Sequence, residues 1–129
     1  MIERIFNFEK LEVWQMSRQL TVEIYKLTKT FPSEEKFSLS SQMQRASVSI
    51  VSNIAEGSSR SSLKDQLRFT EIAYGSLLEL YAQLVIANEL KYIDEISIKN
   101  FQLLFKELSN KLSALKNSQQ KRLNDNLKL

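Results

Sequence analysis

The chain has no cysteine and no histidine in its 129 residues. Without cysteine there is no disulfide and no thiolate nucleophile. Without histidine there is no Ser–His–Asp triad, no imidazole base and no zinc site of the usual ligands. Glycine (2) and proline (1) are scarce. A β-rich chain needs turn residues far more often, so the composition predicts an all-α fold. Glycine-rich phosphate-cradling loops of the P-loop or dinucleotide type are missing. No run approaches the ~18 apolar residues that suggest a membrane helix. The opening MIERIFNFEK has charges and no continuous apolar stretch, so no signal peptide is expected. The lack of cysteine fits a reducing compartment, and a cytoplasmic location is expected.

Carboxylates are the acid–base groups that remain. Glu34-Glu35 and Asp94-Glu95 are adjacent pairs near predicted helix ends, where capping and dipole effects account for them. A carboxylate di-metal bundle wants Glu-x-x-His pairs, and there are none. The chain reads as not an enzyme, with no cofactor, no metal and no small-molecule substrate. Net charge is +3. Residues 106–129 hold six Lys or Arg against Glu107 and Asp125, so the basic excess lies in that segment. Such a segment can draw in nucleic acid. It can equally be a solvated last helix. Lys106, Lys111, Lys116 and Lys121 are five apart and turn ~140° each time, so they spread around the helix.

What is present in quantity is apolar patterning, 43% of the chain. Val13, Met16, Leu20, Ile24, Leu27 and Phe31 recur at helical spacing. They predict a first helix over about 8–30, ended by Pro32, which pushes its predecessor out of the α region. A second helix is predicted over about 39–57, capped by Ser38 or Ser40 and closed by Gly57 as a C′ residue. Ser62-Leu63-Lys64-Asp65 resembles a capping box and opens a third helix over about 63–90. Leu63, Leu67, Thr70, Tyr74, Leu77, Tyr81 and Leu84 keep a heptad there, with Phe69, Ala73, Ser76 and Leu80 beside it. Asp94 caps a fourth helix over about 94–117, with Phe101, Phe105, Leu108, Leu112 and Leu115 on one face. Residues 118–129 lose the period and are expected to fray. Short loops make neighbours antiparallel. The prediction is one domain over 1–129, an antiparallel up-down-up-down four-helix bundle.

The second helix is unusual. At 100° per residue, Leu39, Met43, Ala46, Ile50 and Ile54 form one apolar face. Gln42, Arg45, Ser49, Ser52, Asn53 and Glu56 fall in a polar arc of roughly 100°. Val48, Val51 and Ala55 form a second apolar sector. The third helix is also apolar over a wide arc. This exceeds what one core hides, so self-association is expected.

The same residues carry a family resemblance. The motifs are FEKLEVWQ (Phe8–Gln15), FPSEEKFSLSSQ (Phe31–Gln42), Arg45-Ala46, SIVSNIAEG (Ser49–Gly57) and IAYGSLLEL (Ile72–Leu80). Through them, over roughly Phe8–Leu115, the chain resembles the four-helix-bundle proteins encoded in 23S rRNA intervening sequences. Gln44 departs from the second basic residue that members commonly carry before Arg45. The resemblance implies a small bacterial protein that assembles as a ring of five bundles. Through the related accessory proteins of diversity-generating retroelements, it also implies RNA or DNA binding by a basic channel.

Two readings of the polar residues stand open. In one, Gln42, Arg45, Asn53 and Glu56 form a buried network with Glu71 and Glu79, which fixes helix register. A turn centred near Ser59 sets Arg45 beside Tyr74–Gly75, where Gly75 and Ser76 would permit close helix packing. In the other, Arg45, Arg60, Lys64 and Arg68 form a basic rim for phosphates. Tyr25 and Tyr92 are the aromatics best placed for base stacking, with boundary packing as the plainer account. The corresponding functions are a nucleic-acid-associated homo-oligomer, or a structural or protein-interaction module with no nucleic-acid role.

Overall fold

The computed structural model describes residues 2–128; Met1 and Leu129, the ends of the predicted domain, lie outside the described residues. Among these residues it has four α-helices and no strand: α1 (Glu12–Thr28), α2 (Leu39–Ser58), α3 (Leu63–Glu89) and α4 (Glu95–Leu127). Two short 3-10 turns, Asn7–Lys10 and Ser33–Glu35, lead into α1 and α2. Each helix packs on the next, and α4 returns to α1 to close the four-helix bundle. Lys111 and Glu12 span that closing seam at 3.0 Å.

The core follows the predicted apolar faces. Leu20, Ile24, Met43, Ile50, Leu77, Leu80, Leu84, Leu108 and Leu112 are fully buried. Each contributes about 1.5–3 kcal/mol on leaving water. Ser62 and Asp94 cap α3 and α4 by accepting from the backbone N–H groups of Asp65 and Ser97. That bond and the Ser97 hydroxyl hold the Asp94 carboxyl below its ordinary pKa. α3 ends in a left-handed residue, Lys91, with φ 64°. The N–H groups of Lys91 and Tyr92 return to the carbonyls of Asn88 and Ala87, a Schellman closure in which glycine is the usual occupant. Tyr92 then donates its hydroxyl to Glu35 at 2.9 Å and packs on Phe31, tying the α3–α4 turn to the α1–α2 loop. The hydrogen bond to Glu35, then burial, raises the Tyr92 pKa.

Three expectations are corrected. The predicted frayed tail is helical as far as Leu127. Residues 95–127 contain no glycine or proline and many strong helix formers, and local hydrogen bonds carry a helix past the end of its apolar period. Gly57 is not a left-handed cap. It lies within α2, and no glycine has positive φ. Its role is contact, since a Cβ there would stand 2.8 Å from the Cβ of Phe69. Gly75, expected to permit close packing, is exposed, and a Cβ there would meet nothing within 4 Å. The neighbouring Ser76 does lie in the α2–α3 seam.

Alanine substitutions should separate the two glycines. Gly57→Ala is expected to destabilise by about 1–3 kcal/mol, because the Phe69 Cβ yields only if α3 moves. Gly75→Ala should stabilise by up to ~1 kcal/mol through helix propensity alone. Denaturant midpoints check both, and a stabilised Gly57→Ala would mean that the seam is loose.

Candidate nucleic-acid interface

Two pairs set the register of α2 against α3: Ser49 with Ser76, whose hydroxyls are 2.8 Å apart, and Gly57 with Phe69. Arg45, four residues before Ser49, is therefore level with about Leu80. The predicted level of Tyr74–Gly75 is wrong by about one and a half turns. The turn does not fold as a symmetric hairpin about Ser59.

The buried-network expectation fails for most of its members. Gln42, Arg45 and Glu56 are exposed. Glu71 pairs with Lys116 at 3.9 Å, and Glu79 accepts from the Gln83 amide at 3.3 Å. Neither reaches Arg45. Long charged side chains at the edge of a two-helix seam stay hydrated, because burial would cost more than pairing returns. A smaller network does form. Asn53 donates to the Ser49 carbonyl at 2.7 Å and to the Ser49 hydroxyl at 3.1 Å, next to the Ser49–Ser76 bond.

The α1–α2 seam was not foreseen from sequence. It is built from Ser17, Ser47 and Thr28, all buried, with Thr21 donating to the Ser47 carbonyl at 3.2 Å and Gln44 to Thr28 at 3.0 Å. The available signal was Ser40 and Ser47, seven apart on the flank of the apolar face.

Arg45, Arg60, Lys64 and Arg68 are all exposed. The last three gather at the α2–α3 turn, whereas Arg45 stands several turns away along α2. Arg60 is already engaged, 3.8 Å from Glu56 and 4.7 Å above the Phe69 ring. Lys64 and Arg68 have no ion pair among the described residues. Of the candidate stacking aromatics, Tyr92 is held by Glu35, and Tyr25 is 40% exposed on α1.

The basic segment of α4 comes to the same end. Ser58 and Gln66, from the two sides of the turn, line one cavity with Lys111, Gln119 and Arg122. Rim and tail, rival candidates in the sequence, lie at the same end of the bundle, but no rim residue lines that cavity.

The two polar groups on α2 should behave differently on truncation. Ser76→Ala is expected to cost about 1 kcal/mol for the lost seam hydrogen bond. Arg45→Ala should stay within ~0.5 kcal/mol, as for an exposed side chain. Equal losses in urea titration would mean that Arg45 belongs to the seam after all.

Residues 9–114 match the family described as 23S rRNA-intervening sequence protein. A crystallised protein of unknown function from the S23 ribosomal protein family of Bacteroides thetaiotaomicron is similar in structure, with TM-score 0.75 and 25% identity. The match covers 81% of this chain and 95% of that one. No curated protein matches the chain.

Proposed function

The chain belongs to the 23S rRNA-intervening sequence protein family, and from that premise we propose that it is a non-enzymatic bacterial protein that assembles as a ring and holds nucleic acid on basic surface. The observation that supports the binding half is that Lys64 and Arg68, at the start of α3, and Arg122, late in α4, lie at the same end of the bundle. Phosphate contacts need cations on a shared surface rather than a high net charge. A ring repeats that end around its axis, so weak contacts add through avidity.

Assembly is supported by apolar side chains left outside the core. Val22, Tyr25 and Val48 are 49%, 40% and 42% exposed on the α1–α2 side. Leu78 and Leu103 are 54% and 69% exposed on the α3–α4 side. Two different faces on opposite sides suit a head-to-tail contact, which forms a ring when its rotation closes. Five copies of the 15.0 kDa chain make about 75 kDa. Light scattering is expected to give that mass, and a 15.0 kDa particle at micromolar concentration would overturn the assembly.

The alternative is a protein-interaction module with no nucleic-acid role. It is favoured by the open groove between α3 and α4, floored by Leu77 and Phe105 and walled by Tyr74 and Tyr81. Salt-titrated binding of structured RNA and duplex DNA separates the two. Changing Arg60, Lys64 and Arg68 to Gln should weaken binding to all sequences alike. It should also flatten the slope of log K against log salt by about 0.9 per lost duplex contact. No salt-dependent binding below ~50 mM salt would leave the interaction module as the function.

A further inference from the structure

Four exposed side chains on the α3–α4 side have counterparts at matching heights on the α1–α2 side. The Ser49–Ser76 hydroxyl contact levels Arg45 with about Leu80 and Val48 with about Leu77. Glu79 and Leu78 are each one residue from those levels. The Glu12–Lys111 ion pair does the same across the closing seam, levelling Val22 with about Phe101 and Tyr25 with about Ile98. Leu103 and Lys99 lie within two residues of these, or about 3 Å along the axis. Within one chain the charged members are free to bind elsewhere. Arg45 and Lys99 form no ion pair among the described residues, and Glu79 accepts from the neutral Gln83 amide. Leu78, Leu103 and Lys99 all line the open groove between α3 and α4.

We propose that this groove is filled by the α1–α2 face of the next copy of the chain, with Arg45 of one copy paired to Glu79 of its neighbour. The inference rests on the ring reading and names the surface and register that the ring uses. Each helix packs on the next and α4 returns to α1. A copy placed alongside without turning therefore sets its α2 against α3 and its α1 against α4. That placement brings Val48 to Leu78, Val22 to Leu103, and the Tyr25 ring to the Lys99 ammonium. Cation meets carboxylate and apolar meets apolar, which is the complementarity that fixes register between partners. The matches hold at equal height. A contact with a rise along the axis runs on as an open filament, whereas a contact without one closes. Lys106 and Arg18 fall near each other as like charges, and Arg18 is drawn over its own Trp14 ring, 5.8 Å from the centroid. Pairing two α3–α4 faces would cover Leu78 and Leu103 but leave Val22, Tyr25 and Val48 in water. Head-to-tail contact covers both faces. Arg45, set apart from the basic rim, is thereby an interface residue.

The test exploits the absence of cysteine from the chain. The full chain carrying Val48→Cys and Leu78→Cys together, treated with a short bismaleimide, is expected to give a ladder of covalent oligomers up to the ring. Neither single substitution is expected to cross-link. Arg45→Glu and Glu79→Arg should each weaken association at least about tenfold in light scattering. Combined in one chain, they should restore it to within about threefold of wild type. Circular dichroism should show wild-type helix content in all of these variants, since the substituted side chains are exposed in the single chain. Cross-linking by Leu78→Cys alone would overturn the proposal in favour of two α3–α4 faces paired together. A ring of wild-type mass that gives no ladder, or that keeps its mass in both charge variants, overturns this interface and leaves the ring standing on another. A 15.0 kDa wild-type particle overturns interface and ring together.

Discussion

Phe69 occupies the space that a side chain at residue 57 would need, and the bundle is arranged around that contact. It brings α3 against the last turn of α2. Two turns further on, the hydroxyls of Ser49 and Ser76 meet in the same seam. Together these contacts fix how far α3 slides along α2. Leu77, Leu80 and Leu84 then reach the same core as Met43 and Ile50. A slide of one turn would bury charged groups at the seam edge, which costs more than any pairing recovers. The order of the later elements follows from that register. The α3–α4 turn arrives beside the α1–α2 loop, where Tyr92 meets Glu35.

Small residues make this possible on both sides of α2. Ser17 and Ser47 on one seam, and Gly57 and Ser76 on the other, are all buried or nearly so. Close approach pushes larger apolar groups off the axis between helices. Val48 on α2 and Val22 on α1 are left on the outer surface. Tight seams and exposed apolar faces are thus two results of one packing choice.

The chemistry of the molecule is set by what it lacks. With no histidine or cysteine, its polar repertoire is amides, hydroxyls, carboxylates, lysines and arginines. Its amides, hydroxyls, lysines and arginines are groups that can contact phosphates and base edges. Among the described residues no three carboxylates cluster as a metal would need. Charge is nearly balanced over the chain, so any basic surface must come from placement. Rim and tail come to lie at one end of the bundle because α4 runs on to Leu127, well past the last residue of its apolar stripe.

Periodicity and punctuation determined the helices. Scarce glycine and proline, Pro32, the caps Ser62 and Asp94, and heptads of leucine placed all four within a few residues, apart from the far end of α4. These are local signals, carried by hydrogen bonds and apolar faces within a few turns. The family motif was legible as well, since it is spelled in the chain. Register was not. Arg45, left open between a seam network and a basic rim, is exposed, whereas Gly57 looked like a cap and is a contact. Gly75 looked like a contact and faces open space. Each depends on how far one helix slides along another, and that is decided by close packing between residues distant in sequence. The side-chain carbonyl of Gln119, buried without a donor, belongs to the same class. Its segment has no apolar period, and only the meeting of α4 with the end of the bundle buries it.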